Sequence, residues 1–474
     1  MANAQIGLIG LGTMGAALAL NIAEKGFPIA VFNRTTDKTK TFMAEAGPLA
    51  AKLTPCDTLK ALVAAIKSPR AIILMVPAGS AVDEQIAALR PLLDKADMII
   101  DAGNANYTDT NRRAAEAAKN GEAFLGIGVS GGEEGARHGP SIIGGGPKAS
   151  WDRVAPILNA ISAKYTDRTP CAAWMGEAGA GHFVKMVHNG IEYADMQMIA
   201  EVYGVMRDGM KMTAKQCGAV FDHWNHGRLR SYLIEISAKV AEAIDPSTGS
   251  AELDIIVDSA GQKGTGRWTA VEAQHLATPV TAIEAAVAAR NISALRDQRK
   301  LGQELFGAAP KRIPVKTLPV EHLEHALIAG KILCYAQGFD MLSKASTEFG
   351  WNLPLPEIAR VWREGCIIRS AMLNDMASAL TEDNDRNLMF ARRFTRLLKT
   401  NQAHLRGVVS AGAKYGLPVP ALSAALSYFD MMRTARGTAN MIQGQRDFFG
   451  AHGFERFDKK GAHHGPWGNH ADEV

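Results

Sequence analysis

Cysteine is scarce in this 474-residue chain. Cys56, Cys171, Cys217, Cys334 and Cys366 are scattered, odd in number and never paired as Cys-x-x-Cys. That excludes a disulfide framework or a zinc ribbon and points to free thiols in a reducing compartment. Charge of one sign is also lacking: 52 basic against 48 acidic residues leave a net +4, too little at this length to indicate a nucleic-acid partner. No hydrophobic run is long enough to span a bilayer. The most apolar stretch, residues 6–23, has no basic residue before Lys25 and is broken by Gly10, Gly12 and Gly15. It therefore reads neither as a leader nor as a membrane helix. The expectation is a cytoplasmic protein without membrane or nucleic-acid partners. With 47% hydrophobic and 21% charged residues the composition is ordinary, and the length exceeds one core, so two or three domains are expected.

Residues 4–9 read as a buried strand that runs straight into Gly10-Leu11-Gly12-Thr13-Met14-Gly15. A helical composition follows over 13–25, and a second strand over 28–32. Strand, glycine turn, helix and strand together open a Rossmann-type dinucleotide-binding unit. The glycines permit the tight turn and bring the helix N-terminus against a pyrophosphate. The acidic residue that would bind a ribose 2′-hydroxyl after the second strand is missing; Asn33-Arg34-Thr35 stands there. Arg34 can instead pair with a 2′-phosphate, which favours NADP over NAD. Strands at 71–76 and 98–101 end in Pro77-Ala78-Gly79 and Ala102-Gly103-Asn104. Strand ends line the ligand crevice of such a sheet, which makes Met75, Val76, Pro77 and Asn104 candidate contacts; a plain turn is the other meaning of Gly-Asn. The stretch 126–136, with Ser130 among glycines, reads either as an anion cradle or as a flexible loop.

Near residue 180 the strand-like runs stop, and helical patterns continue to about 436. The expected organisation is a nucleotide-binding α/β domain at 1–178, a large all-α domain at 179–436 and a short C-terminal tail at 437–474. Lys185, His188, Asn189, Glu192 and Tyr193 recur at i, i+3, i+4, i+7 and i+8, the spacing of one helix face. A polar stripe ordinarily means a solvated face. One amine, one imidazole, one amide, one carboxyl and one phenol instead form the kit of an acid–base site. A diverged repeat is also visible: Lys331-Ile332-Leu333 resembles Lys185-Met186-Val187, and Trp362-Arg363-Glu364-Gly365 resembles Trp224-Asn225-His226-Gly227, with Arg-Ser after each. The second copy keeps the lysine and loses the imidazole, amide and carboxyl. Lys263 and Thr265 in a second glycine-rich loop, and Arg290 further on, suit a phosphate, with solvated cations as the alternative. His463, His464 and His470 read as part of a disordered tail, not a metal site.

Gly128-Val129-Ser130-Gly131-Gly132-Glu133-Glu134-Gly135, the run Lys185–Tyr193, Lys263-Gly264-Thr265-Gly266 and Gln445-Arg446-Asp447 together resemble the 6-phosphogluconate dehydrogenase family over nearly the full length. The resemblance implies NADP-linked oxidation at C3 of 6-phosphogluconate, then loss of CO2 to give ribulose 5-phosphate. It implies Lys185 as base and later acid, and Glu192 as the acid that protonates C1 of the enediol. It places Asn104, Ser130, Gly131, Gly132, His188 and Asn189 around the carboxylate and hydroxyls. Tyr193, Lys263, Thr265, Arg290 and Arg446 fall around the 6-phosphate. Arg446 and His452 would complete the site of a partner subunit, which implies a homodimer. Pro77 departs from the family's Val-Lys-Ala-Gly, and Ala102 from its Asp-Gly-Gly-Asn. Two alternatives remain at this stage: a related β-hydroxyacid dehydrogenase acting on a smaller acid, and a non-catalytic NADP-binding scaffold.

Overall fold

The computed structural model describes residues 3–262, 264–314 and 316–467. Contacts divide the chain into two compact units, Met1–Ala425 and Leu426–Val474.

The first unit opens with eight strands: β1 (Ile6–Ile9), β2 (Ile29–Phe32), β3 (Leu53–Cys56), β4 (Ala71–Leu74), β5 (Met98–Asp101), β6 (Ala123–Val129), β7 (Ile142–Gly145) and β8 (Ala172–Gly176). They lie in the order β3-β2-β1-β4-β5-β6-β7-β8. The first six run parallel, β7 turns antiparallel to β6, and β8 runs parallel to β7. β1 and β4 are buried at every residue, because helices cover both faces of a parallel sheet. Ile6, Leu8, Ile73 and Ile100 pack on one side, Ile9, Ile72, Leu74 and Ile99 on the other. Strand order reverses between β1 and β4, and the loops leaving these two strands open the crevice. The helix Thr13–Glu24 begins where the glycine turn ends. Gly15 is required there, since a Cβ would stand 1.8 Å from the Gly10 carbonyl oxygen.

Two readings need correction. The third sequence-predicted strand stops at Leu74, two residues before Val76. The stretch 126–136 is no loop: it finishes β6, turns at Ser130 and Gly131, and starts the helix Gly132–His138.

Helix Ala180–Gly204 follows β8 directly and packs against β6, β7 and β8, against helices Thr265–His275 and Thr281–Ala294, and against the long helix Val320–Glu348. The two long helices carry Lys185 and Lys331, the matching positions of the internal repeat. Each is followed by a helix pair, Ala214–Asn225 with Tyr232–Glu242 and Leu355–Val361 with Met372–Glu382. The two Arg-Ser steps pair with each other: Tyr232 N–H donates to Arg369 O at 3.1 Å and Ala371 N–H to Arg230 O at 2.9 Å, around an antiparallel Ser231–Ser370 bridge. Equivalent residues meeting each other is what an approximate two-fold between two copies produces.

The second unit contains helix Ala439–Gly450 and a two-strand ribbon, Phe454–Glu455 against Ala462–His463. This corrects the expectation of a disordered tail as far as Trp467. His464 donates to Asp447 instead of hanging free. His470 lies outside the described residues.

Candidate active site

From Ala180 to Asp195 every residue of the long helix is buried except Asn189 and Glu192, which are half-buried. The polar stripe therefore faces into the molecule, against the end of β6. Gly128 makes this possible: a Cβ there would lie 2.5 Å from Lys185 Cβ, so the lysine stem rests on bare backbone. The Lys185 ammonium, 5% exposed as a residue, lies 3.0 Å from Ser130 Oγ, 2.8 Å from Asn189 Oδ1 and 3.2 Å from His188 Nδ1. His188 Nε2 is 3.3 Å from Ser130 Oγ, and its Nδ1 is 2.9 Å from Asn189 Oδ1 and 3.8 Å from Glu192 Oε2. No tautomer makes every one of these contacts a hydrogen bond, because Nδ1 cannot donate to Asn189 and accept from Lys185 together. With Nδ1 protonated, Lys185 donates to Ser130 and Asn189, the Ser130 hydroxyl donates to His188 Nε2, and His188 Nδ1–H donates to Asn189 Oδ1, leaving the Lys185–His188 approach as a contact only.

The electrostatics follow from burial. Burial pushes the Lys185 amine below its ordinary range, against the pull of the Glu192 charge. It pushes the Glu192 carboxyl up, opposed by the positive charges of Lys185 and Arg290. Burial, and then the neighbouring Lys185 charge, hold His188 far below the usual imidazole range, so it is neutral. Lys331 offers the contrast: equally buried, it forms an ion pair with Asp195 Oδ2 at 2.5 Å. The repeat thus contains one lysine matched by a carboxylate and one held by a hydroxyl, an amide and a neutral ring.

A cleft of about 740 Å³ runs beside this cluster, lined by Gly12, Thr13, Met14 and Gly15, by Met75, Val76 and Pro77, and by Asn104, Asn189 and Thr265. It suits a dinucleotide: the first turn of Thr13–Glu24 lines it and has no side-chain cap, leaving N–H groups for a phosphate. An adjoining cleft is lined by Asn33, Arg34, Thr35 and Lys38. Asn33 Oδ1 accepts from Leu11 N–H at 3.0 Å and so ties the glycine turn to the end of β2. Asn104 adopts φ 53° and pairs both ways with Val129, N–H to Oδ1 and Nδ2–H to O, each at 3.1 Å. Its amide joins the ends of β5 and β6 as well as lining the cleft.

Residues 5–176 match the NAD binding domain of 6-phosphogluconate dehydrogenase, and residues 181–467 match that enzyme's C-terminal domain. The chain belongs to the 6-phosphogluconate dehydrogenase family. Two Bacillus subtilis members bear on the cofactor. The NAD(+)-dependent, decarboxylating 6-phosphogluconate dehydrogenase is 44% identical over 465 residues, 98% of this chain and 99% of the relative. The NADP(+)-dependent, decarboxylating enzyme is 45% identical over 471 residues, 98% of this chain and 100% of the relative. Among solved structures, Plasmodium falciparum 6-phosphogluconate dehydrogenase, studied in its apo form, with NADP+ and with 6-phosphogluconate, is 40% identical. It superposes with a TM-score of 0.93, covering 98% of this chain and 100% of that one. Like its family, the chain has a nicotinamide-dinucleotide domain followed by a helical one. Among the described residues no helix is long and apolar enough to cross a membrane.

The positions that the resemblance assigns to catalysis and substrate fall in several separate places here. Ser130, His188, Asn189, Lys185 and Glu192 converge as described. Gly131 (φ 101°) and Gly132 (φ 63°) make the turn just after Ser130. Tyr193 and Arg290 meet separately, with the guanidinium 3.5 Å from the ring centroid and Nη1 donating to Gly261 O at 3.3 Å. Thr265 is the first residue of the helix Thr265–His275, which is tied to the helix Ala180–Gly204 by Thr269 Oγ1–H donating to Met186 O at 2.8 Å. Lys263 lies outside the described residues. Arg446 and His452 belong to the second unit and are exposed, with Arg446 donating to Gln443 Oε1 at 3.0 Å. Sequence reasoning missed Arg113. Buried on helix Tyr107–Lys119, it donates to Gly79 O and to Asp83 and Asp101. Asp101 in turn accepts from Gly103 N–H. Arg113 therefore clamps the loops after β4 and β5, a role hidden because its acidic partners are distant in sequence.

Proposed function

We propose that this chain converts 6-phospho-D-gluconate and NADP to D-ribulose 5-phosphate, CO2 and NADPH, the oxidative decarboxylation of the pentose phosphate pathway and of gluconate utilization. The observation that carries the reading is Lys185: buried at the edge of the dinucleotide cleft, and bonded to neutral partners where its repeat counterpart has a carboxylate. A neutral amine is what a base for an alcohol proton must be. NADP, when bound against Gly10–Gly15, supplies the hydride acceptor. Lys185 takes the C3 hydroxyl proton as the hydride leaves C3. It returns a proton to the ketone oxygen as the C1–C2 bond breaks and CO2 departs. Glu192, pushed towards its protonated form by burial, delivers a proton to the enediol carbon that becomes C1 of the product, while Lys185 takes back the neighbouring hydroxyl proton to leave the ketone. Ser130, Asn189 and neutral His188 orient the hydroxyls and carboxylate; Tyr193, Lys263, Thr265 and Arg290 hold the 6-phosphate.

In this reading residues 1–178 bind the nucleotide, 179–436 bind substrate and the second subunit, and 437–474 bring Arg446 and His452 to the partner's site in a cytoplasmic homodimer. Arg34, exposed in a cleft with Thr35 and Lys38, supports the 2′-phosphate and hence NADP over NAD. The test is purified protein with 6-phosphogluconate and NADP, followed by NADPH absorbance with released CO2 measured in parallel. Equimolar NADPH and CO2 are expected. Absence of NADPH across pH and salt overturns the enzyme, and a preference for NAD overturns the role of Arg34.

A further inference from the structure

The second unit is built around one carboxylate. Asp447 lies on helix Ala439–Gly450, one residue after Arg446, and is 1% exposed. Its Oδ1 accepts Gly453 N–H at 2.9 Å and His464 Nδ1–H at 2.6 Å. Its Oδ2 accepts Gly465 N–H at 2.9 Å and the Trp467 indole N–H at 2.9 Å. Its own carbonyl accepts Ala451 N–H, also at 2.9 Å. Burial disfavours the charge, but the N–H donors of Gly465, His464, Gly453 and Trp467 outweigh it and hold the carboxyl far below the usual range.

These bonds converge on a short piece of backbone. His452 sits between Ala451 at φ 50° and Gly453 at φ 69°. A left-handed alanine is unfavourable in isolation and persists only where its surroundings fix it. Here both neighbours of His452 are bonded to Asp447, one through the carbonyl and one through the carboxylate. The ribbon Phe454–Glu455 with Ala462–His463 carries the chain away and brings His464, Gly465 and Trp467 back to the same carboxylate. A terminal segment with this many internal bonds presents its side chains in one arrangement, and ordering them beforehand lowers the entropy cost of binding.

We propose that Asp447 is a positioning residue for substrate binding: it closes residues 447–467 into a knot that presents Arg446 and His452 together as a preformed anion-binding surface. The proposal rests on the reading that these two residues complete the partner's 6-phosphate site. A carboxylate with four N–H donors is a stronger organiser than any amide, since each bond is charge-assisted.

The experiment compares Asp447→Asn, Trp467→Phe, Arg446→Ala with His452→Ala, and the triple variant carrying Asp447→Asn as well. Asp458→Asn, a partner of Arg456 on the surface, is the control. Asp447→Asn keeps the shape but turns an NH2 towards one pair of N–H donors. It is expected to raise KM for 6-phosphogluconate about tenfold, with KM for NADP and kcat within twofold of wild type. Trp467→Phe, which deletes one donor and keeps an aromatic ring, should move the same KM in the same direction by a smaller factor. In the Arg446→Ala, His452→Ala background, Asp447→Asn should add less than twofold, because its effect passes through those side chains. Unchanged KM in both Asp447→Asn and Trp467→Phe overturns the proposal. So does a further large rise in the triple variant, or an equal change in KM for NADP, either of which means general damage. If Arg446→Ala with His452→Ala leaves KM unchanged, the assignment of the tail to the phosphate site fails first, and the positioning role falls with it.

Discussion

At the scale of single residues the proposed mechanism depends on two opposite shifts. Burial drives Lys185 down and Glu192 up, each towards the protonation state its step requires. The sign sets the pH profile. In the proposed mechanism activity requires neutral Lys185 and should be lost as pH falls below that amine's lowered value. It also requires protonated Glu192 and should be lost as pH rises above that carboxyl's raised value. Glu192→Gln should lower kcat by about 10²–10⁴-fold and remove the high-pH limb of the profile while leaving the low-pH limb. Retention of both limbs would assign the second one elsewhere. The identity of these residues was legible, because five different polar groups on one helical stripe is an uneconomical way to face water. Their burial was not. It comes from β6 and Gly128, 57 residues earlier in the chain, and no local pattern reports a contact of that kind. Arg113 stayed hidden for the same reason, and Asp447, though part of the Gln445-Arg446-Asp447 motif, gave no sign of the bonds it makes with residues up to 20 positions further on.

At the scale of elements, the glycine turn, the helix after it and the strand β2 were readable because each rests on local rules of turn and period. The antiparallel turn of β7 and the docking of one long helix on the other were not, since pairing partners are a property of the whole chain. Two predictions belong here. Gly128→Ala would put a Cβ 2.5 Å from Lys185 Cβ and 2.8 Å from its Cγ. Displacing the amine by an ångström should cost about 10²-fold in kcat, with KM for NADP little changed; an unaltered kcat would show that the stem can give way freely. The Lys331–Asp195 pair tests the helix contact. Lys331→Met leaves a buried carboxylate unpaired and should destabilise the fold by about 3–5 kcal/mol, measured by urea unfolding. Lys331→Met combined with Asp195→Leu should recover most of that loss, because removing both charges removes the desolvation cost too. A double variant as unstable as the single one would contradict this account.

At the scale of the whole molecule, the reading requires that a site draw on two chains. Mixed dimers check it. Lys185→Met and Arg446→Ala chains, each impaired alone, are unfolded and refolded together in equal amounts. Half the dimers are then mixed, and in each of these one site has both wild-type residues. About a quarter of wild-type activity at low substrate should return; no recovery would place Arg446 in its own chain's site or in none. The cofactor choice is tested by Arg34→Ala, which should raise KM for NADP about tenfold and leave KM for NAD unchanged.

The two lysines of the internal repeat have a consequence for how such a sequence can drift. Lys331 works as a strut, and a strut can be replaced by any pair of side chains that fills the same space between its helices. Positions 195 and 331 are thus free to change together, charge for charge or charge for hydrocarbon. In the proposed mechanism Lys185 has no such latitude, because its usefulness lies in making no ion pair, and an acidic residue within bonding distance of its amine would make it a second strut. Of the two matching lysines, only the one whose hydrogen-bond partners are uncharged suits the role of a base.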